Sequence, residues 1–412
     1  MPSHPDIVVG LDVGTTKVCT VVGEVDAAGR VSILGSSLVP SDGIRRGVVA
    51  DIPAAVAAIR ASLQQAEQNS GVHIEAVSVG VTGEHVSSVN ARGVVAVHNP
   101  HQEIGADDVE RVLENARSIV LPPDREILHN IPRGFIVDGL DGVAHPEGMS
   151  GTRLEAETHI VTGTRTFIDN VLKCVYKAGA QLESGGVVLG PLAAAEAVLL
   201  PAERELGVAL VDIGGGTSDI AVFTNGSIAY TGVVPVGSEH VTRDIAVGIR
   251  VSLEEAERLK VDWGTGLADL LDDDELVTIM PLGDAEASEI ARSILAEIIE
   301  ARMVELFEKV KDQLRKADFL GQIPAGVVVT GGGSLLAGTD QVASEVLDLP
   351  VRLAAPSEDS GVTEIVNHPR YATAVGLARL AARAAAPAER GHSTAPRHAA
   401  PLGRKLRRLF GG

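Results

Sequence analysis

Apolar positions along this chain fall into short runs closed off by glycine, alternating with longer stretches in which they recur at helical spacing. Residues 6–13, 18–22, 31–39, 76–81, 206–211 and 220–223 are runs with the length of buried strands. Asn225-Gly226, just past the last of them, is a two-residue hairpin signal. Residues 52–67, 106–119, 166–178, 190–199, 254–260, 337–347 and 371–385 read as helices, the first with Pro53 in its opening turn. Residues 284–316 predict the longest helix, with Ile290, Ile294, Leu295, Ile298, Val304, Phe307, Val310 and Leu314 as its apolar positions. The alternation of strand and helix places the chain in the α/β class. It breaks between residues 84 and 165, where strands at 86–89, 94–97, 127–137 and 155–162 surround the helix at 106–119. That stretch reads as an inserted α+β unit.

Composition adds limits. A chain of 412 residues, 45% apolar, predicts two to three globular domains. No apolar run reaches the roughly 18–20 residues of a spanning helix, and the first residues do not form a signal peptide. Cys19 and Cys174 stand far apart, with no metal or disulfide pattern, which fits a cytoplasmic setting. A net charge of −20 and 2% aromatics argue against a nucleic-acid partner. The charge is uneven, however: residues 379–412 hold 8 Lys/Arg and a single acid, Glu389.

The chemistry concentrates in glycine turns. In Val211-Asp212-Ile213-Gly214-Gly215-Gly216-Thr217-Ser218-Asp219, a buried strand ends in a carboxylate and three glycines, and another strand follows. Backbone N–H groups of Gly214, Gly215, Gly216 and Thr217 can approach a phosphate there, and Asp212 is placed to hold a hydrated Mg²⁺. Gly10-Leu11-Asp12-Val13-Gly14-Thr15-Thr16-Lys17 repeats the plan about 200 residues earlier, with Lys17 as a phosphate-reaching cation. Its spacing does not fit a Walker loop. Either turn alone also suits an ordinary glycine hairpin; two of them suggest two halves of similar topology facing one cleft. Gly331-Gly332-Gly333-Ser334 is a third such turn. Glu257 and Lys260 share a helix face, which alone predicts no more than a surface ion pair. Glu196 is a lone acid in an alanine-rich helix and needs a partner or a task. No nucleophile elbow, H-E-x-x-H or Cys/His cluster is present.

Together these blocks resemble the actin, Hsp70 and sugar-kinase ATPase superfamily. Asp12, Gly14, Thr15, Thr16 and Lys17 match its first phosphate motif, and Asp212, Gly214, Gly215, Gly216 and Thr217 its second. Gly331, Gly332, Gly333 and Ser334 match its adenosine motif, with Gly237, Glu257 and Lys260 as further adenosine contacts. The resemblance implies ATP with Mg²⁺, the metal held by Asp12 and Asp212 through water. It also gives catalytic roles to Asp212 and to Glu196, the latter facing the attacking water. Gly237-Ser238 departs from the usual pair of glycines.

Gly83-Glu84-His85-Val86, Asn90-Ala91-Arg92-Gly93-Val94-Val95, Pro122-Pro123-Asp124-Arg125-Glu126-Ile127-Leu128, Met149-Ser150-Gly151-Thr152-Arg153-Leu154-Glu155 and Thr158-His159-Ile160-Val161-Thr162-Gly163 narrow it. They resemble the FtsA family of bacterial cell-division proteins, in which this insertion replaces the usual upper subdomain. The implied architecture is a two-lobed actin-like ATPase fold. Residues 1–83 with 357–385 form the first lobe core, 84–165 the insertion, 166–228 with 306–356 the second lobe core, and 229–305 its upper subdomain. Residues 386–400 make a linker of about 20 Å in flexible form.

In residues 401–412, Leu402, Leu406, Leu409 and Phe410 fall within about 100° of a helical wheel. Arg404, Arg407 and Arg408 lie opposite, with Lys405 at the flank. Such a segment lies in a bilayer interface; four large side chains offer about 6–12 kcal/mol gross, and each basic residue adds about 1 kcal/mol near anionic lipid. The family resemblance implies a scaffold that self-assembles, with at most weak ATPase activity. It would tie the tubulin-like protein FtsZ to the cytoplasmic face of the membrane at the division site and bind other division proteins through the insertion. Glu300-Ala301-Arg302-Met303 matches a family segment near the docking site of the FtsZ C-terminal peptide, making Arg302 the contact. The alternatives are a pilus-assembly ATPase of this fold, for which the tail is unexpected, or a sugar kinase or chaperone. The latter two lack a visible catalytic aspartate and a peptide-binding domain.

Overall fold

A computed structural model describes residues 6–98, 103–268, 271, 275–283, 286–356 and 366–385. The linker and tail at 386–412 lie outside the described residues.

Two five-stranded sheets share one topology. In the first, β1 (Asp6–Val13), β2 (Lys17–Val25) and β3 (Val31–Pro40) run antiparallel as a meander. On the other side of β1, β6 (Ala76–Val81) and β11 (Gln181–Leu189) continue in parallel. In the second, β12 (Val208–Ile213), β13 (Ser218–Thr224) and β14 (Ser227–Val234) form the meander, and β17 (Val327–Thr330) and β18 (Val351–Leu353) the parallel side. The sheet orders β11-β6-β1-β2-β3 and β18-β17-β12-β13-β14 therefore superimpose element for element.

Near-continuous apolar strands require both faces to be covered, and the helices supply this. Between the sheets lie α4 (Gly190–Val198) and α10 (Ala372–Ala385), sharing one core with Val8, Val21, Leu210 and Phe223. Their alanines bring backbones close: a Cβ on Gly376 of α10 would overlap the Ala193 carbonyl of α4. On the far face of the first sheet pack α1 (Ile52–Ser70) and α3 (Arg165–Ala178). Asp51 caps α1, its carboxylate accepting from Ala54 N at 3.0 Å. The far face of the second sheet carries α6 (Ser238–Ile249), α7 (Leu253–Trp263), α8 (Arg292–Lys316) and α9 (Thr339–Leu347). A short helix, α5 (Pro201–Leu206), links α4 to β12, and a small hairpin, β4 (Ile44–Arg45) with β5 (Val48–Val49), precedes α1.

The insertion is a four-stranded antiparallel sheet of β7 (Ser87–Ala96), β10 (Arg153–Thr164), β8 (Arg125–Val137) and β9 (Leu140–Val143), in that order, with α2 (Ala106–Arg117) on one face. Its side chains also reach the second lobe. Asn90 Nδ2 donates to Ala229 O at 2.9 Å, and Ser88 Oγ donates to Thr231 O at 3.0 Å on β14.

Three expectations change. Residues 166–189 belong to the first lobe, because β11 completes the first sheet and α3 packs beside α1; a parallel pairing over 100 residues leaves no local signal. Residues 288–291 are not helical: β16 (Ser288–Ala291) pairs with β15 (Leu276–Ile279), and α8 begins only at Arg292. The two strands expected at 86–89 and 94–97 are one strand, β7, since Asn90 to Gly93 pair in register with β10.

Candidate functional site

The two Asp–glycine turns have the same closure. Gly14 N donates to Lys17 O at 2.9 Å, and Gly214 N donates to Thr217 O at 2.9 Å. Asp12 stands opposite Cys19 in its hairpin and Asp212 opposite Asp219, so both carboxylates leave the strand at equivalent points. The turns face each other across the lobes. A Cβ on Gly215 would lie 2.8 Å from Thr16 Oγ1, and one on Gly216 would lie 2.9 Å from Thr15 Oγ1. Glycine is needed here because the opposing turn occupies the space a side chain would take.

Lys17 Nζ pairs with Asp12 Oδ2 at 2.5 Å. Burial alone would lower the lysine's pKa, but the Asp12 carboxylate more than reverses this and holds the ammonium charged well above its usual range. Asp212 accepts from Thr373 Oγ1 at 3.0 Å, at the start of α10. Burial, and then the neighbouring Asp12 charge, push its pKa up to about 6. Asp219 is buried and accepts from Thr82 Oγ1 of the first lobe on one oxygen; its other oxygen has no partner. Burial pushes it up to about 7, with Asp212 and Asp12 adding repulsion.

The third glycine turn presses on the same carboxylate. Gly331 has φ 86° and passes so close to Asp212 Oδ1 that a Cβ would overlap it. Ser334 Oγ donates to Gly331 O at 2.7 Å and closes a 3₁₀ turn at Gly332–Leu335, with Gly333 lying against Ile213. Gly237 starts α6 directly on the second turn, where Ser238 N and Glu239 N donate to Gly214 O and Gly215 O at 2.9 Å each. On the neighbouring helices Lys260 Nζ meets Glu257 Oε2 at 2.6 Å and Thr242 Oγ1 at 2.9 Å, and Thr242 donates to Glu257 at 2.5 Å. The chain leaving α7 reaches the segment after the third turn, with Gly266 N donating to Ala337 O at 2.8 Å.

The arrangement fits a magnesium nucleotide. Three glycine turns converge on two carboxylates and a charged lysine, the donor set for a polyphosphate and a hard cation. Among the described residues no cluster of three or more His, Cys, Asp or Glu could hold a metal, so a cation here would complete its ligands from water and phosphate.

One expected cleft residue lies elsewhere, and the expected FtsZ contact has partners of its own. Glu196 does not face the cleft turns: its Oε1 pairs with Arg383 at 2.5 Å and its Oε2 with Arg204 at 3.4 Å, across α4, α5 and α10. A buried acid between two guanidinium groups ties helices together. Arg302 of α8 is likewise engaged, its Nε and Nη2 on Asp244 of α6 at 2.5 and 3.0 Å and its Nη1 on Glu305. Leu402, Arg404, Lys405, Leu406, Arg407, Arg408, Leu409 and Phe410 lie outside the described residues. The reading of the residues missed Thr82, Thr373 and the role of Asp219. Only Asp219, seven residues after Asp212 in the same glycine block, carried a local signal.

Two sheets of one topology, each offering an Asp–glycine turn to a shared cleft, with small-residue helices packed between them, define the actin-like ATPase fold. The chain has that fold in common with the PilM–PilN type IV pilus biogenesis complex (TM-score 0.63, 19% identity, 92% of this chain and 99% of that one). MreB5 of Spiroplasma citri, solved bound to ADP, matches at TM-score 0.52 and 15% identity over 90% of this chain and 94% of its own. Family models described as "Cell division protein FtsA" and "SHS2 domain inserted in FTSA" match residues 209–376 and 83–162. Cell division protein FtsA of Pseudomonas aeruginosa is 41% identical over 90% of this chain and 88% of its own length. Its Bacillus subtilis counterpart is 39% identical over 92% and 84%, and that of Escherichia coli 35% over 90% and 89%. The chain belongs to the FtsA family of cell-division proteins.

Proposed function

We propose that this actin-like cell-division protein binds Mg-ATP between its two lobes, self-assembles, and ties FtsZ to the inner face of the membrane at the division site. The observation that carries the nucleotide reading is the facing pair of equivalent turns with Asp12, Lys17 and Asp212 between them. Backbone N–H groups of residues 15–17 and 215–217 would hold the phosphates, and Lys17 would neutralise them. Asp12 and Asp212 would hold Mg²⁺ through water, and Thr373 orients Asp212. The third turn, with Gly237, Glu257 and Lys260, would frame the adenosine. The bound metal would supply charge neutralisation along the phosphates. With Glu196 committed to arginines, hydrolysis is slow at most, and nucleotide acts by setting the relation of the lobes.

The membrane part of the reading rests on sequence. Among the described residues no helix is long and apolar enough to cross a bilayer, while residues 401–412 alternate leucine or phenylalanine with arginine at helical spacing. The upper subdomain, expected over 229–305 but starting after β14, is our choice for the FtsZ peptide, and Arg302 holds α8 to α6 within it. The insertion would receive other division proteins. Removing residues 402–412 should abolish flotation with vesicles containing anionic lipid and leave nucleotide binding intact; unchanged flotation would refute the anchor.

A further inference from the structure

The β4–β5 hairpin closes on Arg46-Gly47, whose φ angles are 48° and 75°. Two successive residues with positive φ belong to the turn that two-residue hairpins favour, and its first position suits asparagine or glycine. Arginine is held there against its own backbone preference, as happens where a side chain is wanted at a particular place.

The hairpin tip touches both Asp–glycine turns and the neck of the insertion. A Cβ on Gly216 of the second turn would stand 3.1 Å from Arg46 Cα and 3.2 Å from its N. Gly47 N donates to Thr15 Oγ1 of the first turn at 3.4 Å. Gly47 also packs on the neck of the insertion, where its Cβ would lie 2.5 Å from Thr82 O and 2.9 Å from Gly83 Cα. Thr82 is the residue whose hydroxyl donates to Asp219 in the other lobe. The Arg46 side chain pairs at 3.8 Å with Glu84, the next neck residue, and the two are 59% and 49% exposed. At that distance and in water the pair is weak, so a better anion can take the arginine. A phosphate is such an anion, because the guanidinium can grip it with two N–H groups.

We propose that Arg46 reads the terminal phosphate of a bound nucleoside triphosphate, leaving Glu84 for it, so that the neck of the insertion is released with a triphosphate and restrained with a diphosphate. The proposal rests on the nucleotide reading of the cleft and adds to it a way for the insertion to sense nucleotide state. The two glycine turns hold phosphates through backbone groups that cannot tell how many follow. Arg46, beside both turns and tethered to the neck, can.

The test uses the full chain titrated with Mg-ATP and with Mg-ADP by calorimetry. Arg46→Asn removes the charge while giving the turn the residue it favours before Gly47, so the hairpin keeps its shape. It should weaken Mg-ATP about tenfold and Mg-ADP less than about twofold. Arg46→Lys should recover part of the loss, and Glu84→Gln should tighten Mg-ATP. Hydrogen exchange at residues 84–98 should be faster with ATP than with ADP in the unaltered chain and equal in Arg46→Asn. Equal weakening of both nucleotides, or no change in either, overturns the proposal. Should Asp212→Asn abolish binding while Arg46→Asn does nothing, the cleft reading stands and this one falls. A chain that binds neither nucleotide overturns both.

Discussion

Asparagine in place of Asp212 is expected to stabilise the nucleotide-free protein and, in the same molecule, to abolish Mg-ATP binding. The Asp212 carboxyl, pushed up to about 6 by burial and the Asp12 charge, holds a proton that the unfolded chain has already lost above its ordinary carboxyl pKa. The native state therefore binds more protons between about pH 4 and 6, and stability falls as pH rises through that window. Carrying that carboxylate charged in the folded state costs about 2 kcal/mol at pH 7.5, which an asparagine does not lose. Asp219 and Glu183, each raised by burial to about 7, extend the same decline toward neutrality. Thermal denaturation should show Asp212→Asn melting higher than the unaltered chain at pH 7.5, with the gap narrowing at pH 5. A carboxylate kept at a stability cost is kept for a ligand, here a divalent cation on a polyphosphate. Calorimetry showing undiminished Mg-ATP affinity in Asp212→Asn would remove Asp212 from the site.

The second large effect is steric. Between the sheets, α10 is pressed on two sides by backbone: a Cβ on Gly376 would overlap the Ala193 carbonyl of α4, and one on Gly10 of β1 would overlap the Ala374 carbonyl of α10. Neither obstacle is a side chain that can rotate away. Gly376→Ala should therefore force α4 and α10 apart and cost about 3 kcal/mol or more, the upper end for overpacking. Set against a total stability of about 5–15 kcal/mol, that is a substantial share. The melting temperature should fall by several degrees, and nucleotide affinity should fall too, because Thr373 on the same helix orients Asp212. A melting curve indistinguishable from that of the unaltered chain would contradict the close packing of the two helices.

What could be read from the residues was what local spacing encodes. Each Asp–glycine turn is a self-contained signal: an apolar strand, a carboxylate, residues without bulk, another strand. The structure adds only that the turns face each other. The helices at 52–70 and 372–385 were legible for the same reason, since their periods are complete within themselves. The failures involve distant partners. Residues 166–189 went to the wrong lobe because the pairing of β11 with β6 joins Gln181 to Ala76. Ser288–Ala291 reads as helix until Leu276–Ile279 claims its backbone. Glu196 looked available to the cleft because Arg383, which takes its carboxylate, lies 187 residues further on. Thr82 and Thr373 are unremarkable in the sequence and gain meaning only beside Asp219 and Asp212.

The tether itself is tested most directly by floating three components together: this chain, FtsZ, and vesicles containing anionic lipid, with ATP and Mg²⁺. FtsZ should rise with the vesicles when the full chain is present, and stay behind when residues 402–412 are removed or the vesicles are neutral. FtsZ remaining in the dense fraction while the full chain floats would contradict the account.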